Sequence, residues 1–208
     1  MIDQSQLQRQ LDSELVPAPG HTDRLLEELS ERAAGAGLLE AAYDSLDSPF
    51  GRLMIATTPI GVVRVGFENE TEELFLSDLS NRVSARVLRA PRRLDDARRQ
   101  LDEYFDGHRR AFELDLDWRL TLGFRRRVLR ATAAIPFGET RSYRDVATTA
   151  GSPNAVRAAG SALATNPLPI IVPCHRVLRT DGGLGGFRGG IEMKRALLGY
   201  EGARLQSA

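Results

Sequence analysis

Between Thr140 and Leu178 the chain reads TRSYRDVATTAGSPNAVRAAGSALATNPLPIIVPCHRVL. Gly151 and the Asn166-Pro167 pair divide this stretch into two short helices and an apolar run. Thr140 or Ser142 can cap a first helix that carries Tyr143, Val146, Ala147 and Ala150 on one face, and Gly151 closes it. Ser152 then caps a second helix, with Pro153 at its first position and residues 154–164 following. Two short helices across a glycine turn predict a helix-turn-helix. The second is almost entirely small residues around a single arginine, Arg157. Small residues permit close approach, and the surface approached is either another helix of this protein or a duplex.

Beyond Pro167, the run Ile170-Ile171-Val172 reads as the end of a buried strand leading into Pro173-Cys174-His175-Arg176-Val177. Cys174 is the one cysteine in 208 residues, which excludes an intramolecular disulfide and every cysteine-based zinc motif. A lone cysteine is either inert core filler or a nucleophile. His175 and Arg176 are placed to stabilise a thiolate, but neighbours on a strand point to opposite faces, so adjacency alone does not bring the imidazole to the sulfur. Glu201, near the end of the chain, is a candidate to orient that imidazole, though its spacing alone does not nominate it. Residues 182–190 hold six glycines around Phe187 and Arg188. No Gly-Lys-Ser or Gly-Lys-Thr follows, so this is a poor phosphate cradle and a better pocket-shaping loop, with Phe187 as a flat wall.

Upstream, a helix with Phe124, Val128 and Leu129 inward and Arg125, Arg126, Arg127 and Arg130 outward ends at Pro136-Phe137-Gly138. Earlier still, Leu53–Ala56 and Val62–Phe67 form a hairpin about residues 58–61. Leu94, Ala97, Leu101, Tyr104 and Phe105 line a helix, and Phe112, Leu114 and Leu116 alternate like a half-buried strand. The acidic residues there lack metal-ligand spacing and read as surface. Near the start, Leu25, Leu26 and Leu29 stripe a helix that gives way to a weak linker at residues 33–37. The expected division is an N-terminal extension of unknown role (1–38), an α+β domain (39–118) and a C-terminal domain (119–208).

The net charge of zero conceals an asymmetry. Residues 119–204 hold 14 Arg and Lys against 5 Asp and Glu, net +9, and the remainder 14 against 23, net −9. A basic half of this kind fits a polyanionic partner or a solvated surface. No apolar stretch approaches a membrane span and no secretory leader is present, so a cytoplasmic protein without a membrane partner is expected.

Pro173-Cys174-His175-Arg176-Val177, preceded by Asn166-Pro167-Leu168-Pro169-Ile170-Ile171-Val172, closely resembles the 6-O-alkylguanine-DNA alkyltransferase family. Phe137-Gly138-Glu139, Ser142-Tyr143 and the loop about Phe187 add to the likeness, which is dense over residues 119–204 and holds only in outline over 40–118. The resemblance implies an α+β fold class: a small ribonuclease-H-like domain packed on a winged helix-turn-helix domain that binds the minor groove of double-stranded DNA containing alkylated guanine. It implies stoichiometric, irreversible transfer of the alkyl group to Cys174, with His175 as base through a bridging water and Glu201 as the partner of His175. Asn166 would span the turn to the active site, and Tyr143 would donate to the departing guanine. Arg157 would fill the space of the flipped nucleotide, and Ala158, Gly160, Ser142 and Arg176 would contact the DNA. Pro169, Val177, Phe187 and Arg188 would wall the base pocket. No cofactor and no metal are implied, and a monomer is expected. The chain departs from the family pattern at Phe187, where many relatives carry tyrosine, and at Val128-Leu129, where a tryptophan is often found.

Three rival readings keep parts of this pattern. A non-reactive damage-sensing relative would replace the cysteine, a helix-turn-helix regulator would not need it, and a Cys-His hydrolase would turn over repeatedly.

Overall fold

The computed structural model describes residues 21–203. Helix α1 (His21–Gly35) leads into a four-stranded sheet of β1 (Ala41–Leu46), β2 (Leu53–Thr58), β3 (Gly61–Phe67) and β4 (Val87–Arg89). The strand order is β3-β2-β1-β4, with β4 parallel to β1 and the other pairs antiparallel. The hairpin falls where the sequence puts it. Both faces of its strands are covered, so successive residues are buried, including Arg64 in the middle of β3. Leu53, Ile55 and Val65 enter the main core, while Met54, Ala56 and Val63 pack under Phe75 and Leu79 of α2 (Glu72–Arg82). On the main-core side lies α3 (Asp95–Phe105), which buries Ala97, Leu101, Tyr104 and Phe105 as its spacing predicts.

Several expectations for this half need correction. Helix α1 runs through Ala33 and Ala34, so the expected linker shrinks to the turn at Ala36 and Gly37. Its leucine stripe is only partly used, since Leu25 and Leu29 are 49% and 52% exposed. Phe112, Leu114 and Leu116 alternate in burial but form no ladder: the extended segment bonds to β3 only through Val62, at a single bridge. Two carboxylates read as surface are buried. Asp44 accepts from Arg89 and Arg98, and Asp117 accepts from Thr58 at 2.7 Å and from Arg119.

The second half builds three helices against one another. In α4 (Gly123–Ala133) Val128 and Leu129 are buried while Arg125, Arg127 and Arg130 face solvent. Of the two candidate caps, Ser142 caps α5 (Tyr143–Thr149), in a capping box with Asp145. Helix α6 (Val156–Ala164) starts later than expected: residues 152–155 form a turn, with the Ala155 amide bonded to the Ser152 carbonyl at 2.9 Å, and Ala155 is the cap. The small-residue helix packs one face against the body and leaves another open. Ala159, Ala162 and Leu163 are buried, and Arg157, Ala158 and Ser161 are exposed. Short strands β5 (Arg141–Ser142) and β6 (Val177–Leu178) pair in parallel, and α7 (Ile191–Tyr200) closes the unit.

The halves share one core. Edge strand β3 is met by the second half where the Val65 amide donates to the Pro167 carbonyl at 2.7 Å, and Tyr104 and Tyr200 sit in one aromatic cluster.

Candidate active site

Asn166, just past α6, organises the segment that carries the cysteine. Its Oδ1 accepts from the Leu168 amide at 3.0 Å, and its Nδ2 donates to the Val172 carbonyl at 2.9 Å and to Cys174 Sγ at 3.2 Å. The run Ile170–Val172 is therefore a buried turn and not a strand. Ile170 is forced to φ +72°, a left-handed conformation that costs a β-branched residue about 1–3 kcal/mol and persists only where the surroundings overdetermine it. Pro173 then delivers Cys174 into a single 3-10 turn, Cys174–Arg176.

His175 is fully buried. Its Nε2 lies 3.0 Å from Glu201 Oε1, and its Nδ1 has no protein partner. Glu201 also accepts from Tyr104 Oη at 2.7 Å and takes a bidentate pair from Arg176, at 2.8 and 2.7 Å. Burial alone would raise the Glu201 carboxyl, but the hydrogen bonds from His175, Arg176 and Tyr104 win and hold it down to about 2. An ionised Glu201 makes His175 Nε2 the donor and leaves Nδ1 with a free lone pair. Burial pushes the imidazole down, against the pull of Glu201, so it rests neutral and able to accept a proton.

Burial pushes the Cys174 thiol up, opposed by the Asn166 hydrogen bond and by the charge of Lys194. Lys194, the only lysine in the chain, carries no functional signal in the sequence. Its ammonium is buried, donates to the Val177 carbonyl at 2.6 Å and lies 6.0 Å from the centre of the Tyr143 ring. Burial lowers it to about 8, with the neighbouring sulfur pulling the other way. Two sequence expectations for Arg176 are thereby corrected. Buried and spent on Glu201 and the Ile135 carbonyl, it offers no exposed head to a DNA backbone, and the cation beside the sulfur is Lys194. In the sequence Tyr104 reads only as core, and nothing local marks the hydroxyl that reaches Glu201.

Tyr143 opens α5 half-buried, its hydroxyl pushed up by burial and then by Cys174. Gly185, at φ +66°, passes so near that a Cβ there would lie 2.5 Å from the phenol oxygen. Tyr143, Val156, Gly160, Ala164, Arg179 and Gly185 line a cleft of about 300 Å³. Pro169 and Val177 are buried and do not reach it, and Phe187 is half-buried between Phe67 and His175. Arg188 is exposed and paired with Glu70. Ser142 spends its hydroxyl on Asp145, and Arg157 stands exposed without an ion-pair partner among the described residues. Among the described residues no group of three or more His, Cys, Asp or Glu is arranged to hold a metal.

Two family descriptions match this chain: the DNA binding domain of 6-O-methylguanine DNA methyltransferase over residues 123–203, and its ribonuclease-like domain over residues 41–118. The chain belongs to the 6-O-methylguanine DNA methyltransferase family. Among curated members, the methylated-DNA–protein-cysteine methyltransferase of Mycobacterium bovis is 40% identical over 78% of this chain and 93% of its own length. The constitutive enzyme of that name from Bacillus subtilis is 39% identical over 76% and 94%. The crystal structure of Mycobacterium tuberculosis OGT in complex with DNA superposes with a TM-score of 0.68 at 38% identity, covering 77% of this chain and 92% of that one. The α+β fold of the family, with its ribonuclease-like and DNA-binding parts, is the fold described above.

Proposed function

We propose that this chain repairs alkylated DNA by direct reversal, with Cys174 accepting the alkyl group from the 6-oxygen of a guanine turned out of the duplex, once per molecule. The observation that carries the reading is the setting of Cys174. The only cysteine of a family member is hydrogen-bonded by Asn166 on a strained turn behind the helix-turn-helix, next to an imidazole whose other nitrogen is held by an ionised carboxylate.

An alkylated guanine oxygen lies inside the base stack, so the base must be extruded before a thiol can reach it. Exposed Arg157 on α6 is available to occupy the vacated space and offset the unstacking cost of a few kcal/mol. Ala158 and Gly160 let that helix lie close to the backbone. Cys174 and His175 share no hydrogen bond, so the thiol proton passes through a water to Nδ1, and the imidazolium formed is balanced by Glu201. The carbon–sulfur bond forms as the carbon–oxygen bond breaks, and the electron pair leaves on the guanine oxygen. Tyr143, kept protonated by its raised pKa, donates to the departing ring and is reprotonated by way of solvent. The product is a thioether that no group nearby can cleave. Phe187, edge-on to His175 at 6.3 Å, walls the alkyl side, with Pro169 and Val177 buried behind the cysteine turn. No described helix is long and apolar enough to cross a membrane, and the cytoplasm is the proposed place of work.

Titration with duplex bearing isotopically labelled 6-O-methylguanine tests this. Transfer should plateau at one label per chain, a second addition should stay unconverted, and Cys174→Ala should bind the duplex without taking label. A plateau above one means turnover and a different reaction.

A further inference from the structure

The pocket loop is fastened at both ends. At one end Gly185 rests on the Tyr143 phenol. At the other, residues 187–188 are held by the first half of the molecule. The ring of Phe67, at the end of β3, lies 5.5 Å from that of Phe187, which stands edge-on to His175 at 6.3 Å. In the turn between β3 and α2, Asn69 Nδ2 donates to the Arg188 carbonyl at 3.0 Å, and Glu70 Oε1 accepts from Arg188 Nη2 at 3.1 Å.

Glu70 is no free surface carboxylate. The same oxygen accepts from Arg64 Nη2 at 2.6 Å, and Arg64 is 2% exposed, bonded to Asp78 at 2.7 Å and stacked 4.3 Å over Phe75. An exposed ion pair is ordinarily weak because two long side chains must be ordered at once. Here one partner is already fixed, so Arg188 closes on a preorganised acceptor.

We propose that Asn69 and Glu70 are specificity-determining residues for alkyl transfer: by fixing the backbone and side chain of Arg188 they hold Phe187 in place and so set the room beside Cys174 for the alkyl group. The proposal rests on the alkyltransferase reading above. Neither residue touches the substrate; they act through the loop. With the tether intact the pocket favours a methyl group. With it loosened, a bulky adduct is admitted more readily and a methyl group is held less firmly.

The test uses the full chain and its Asn69→Ala and Glu70→Gln variants, each checked by thermal unfolding. Rates of transfer to Cys174 are measured on duplexes carrying 6-O-methylguanine or 6-O-benzylguanine. The benzyl-to-methyl rate ratio should rise in each variant, by up to about five-fold, the upper end of what a single exposed tether commands. An unchanged ratio in the folded variants overturns the proposal. Should Glu70→Gln fail to fold because Arg64 keeps only Asp78 as a charged partner, Asn69→Ala decides alone, since the Asn69 side chain bonds only the Arg188 carbonyl among the described residues. If the unmodified chain transfers neither group, the alkyltransferase reading fails and the proposal with it; transfer at normal rates with an unchanged ratio removes the tether alone.

Discussion

At the scale of single residues, the site depends on which charges are buried beside which. Glu201 accepts from three side chains, and removing its charge strands a buried Arg176. Glu201→Gln should cost about 3–5 kcal/mol at neutral pH, as losing one partner of a buried pair does. Its folded pKa of about 2 lies below the ordinary 4.5, so the stabilisation is complete above about pH 4.5 and drains away as the pH falls through about 2. Urea midpoints of the two proteins should therefore converge on acidification, and a gap independent of pH would contradict the assignment. Lys194 makes the opposite kind of statement. Held near 8, it is charged at neutral pH and favours the thiolate of Cys174. Lys194→Met should slow methyl transfer about ten-fold near pH 7, equivalent to roughly one unit in the thiol pKa. The deficit should narrow as the pH rises through about 8, where the wild-type lysine also loses its charge. A constant deficit would make Lys194 a packing residue only.

At the scale of elements, α6 presents two faces with different duties. Its buried alanines pack the helix onto the body, and its exposed face offers Arg157 among small residues. Arg157→Ala should slow repair of a duplex substrate far more than reaction with the free alkylated base, because only the duplex demands extrusion. Comparison of the two rates checks this, and equal losses would remove Arg157 from base flipping. Capping has a more modest weight: Ser142→Ala should destabilise the protein by about 1 kcal/mol through loss of the α5 capping box, read as a shift in the unfolding midpoint.

At the scale of the whole molecule, the parts legible in the sequence are those with strong local signals. The hairpin, α3, α4 and the pair of helices after Thr140 carry caps, glycines or clear apolar periods, and each stands close to where those put it. Strand β1 is interrupted by Asp44 and Ser45, and α2 buries only Phe75 and Leu79 from eleven residues, so neither element announces itself locally. The cysteine turn reads as a strand in the sequence because its apolar run is buried by tertiary packing, with Asn166 supplying the backbone partners a neighbouring strand would have given. Cys174, His175, Glu201, Asn166 and Tyr143 come together in space, the first two from a short motif and Glu201 only through family likeness. Tyr104 and Lys194 carry no local signal, because their bonds to Glu201 and to the Val177 carbonyl span 97 and 17 residues of chain.

The intact mass of the protein after incubation with a duplex carrying 6-O-methylguanine, followed by peptide mapping, tests the central claim most directly. A single methyl increment located on Cys174, in a yield limited to one per molecule, is the predicted result. An unmodified protein that still binds the lesion, or a methyl group on any other residue, would contradict it.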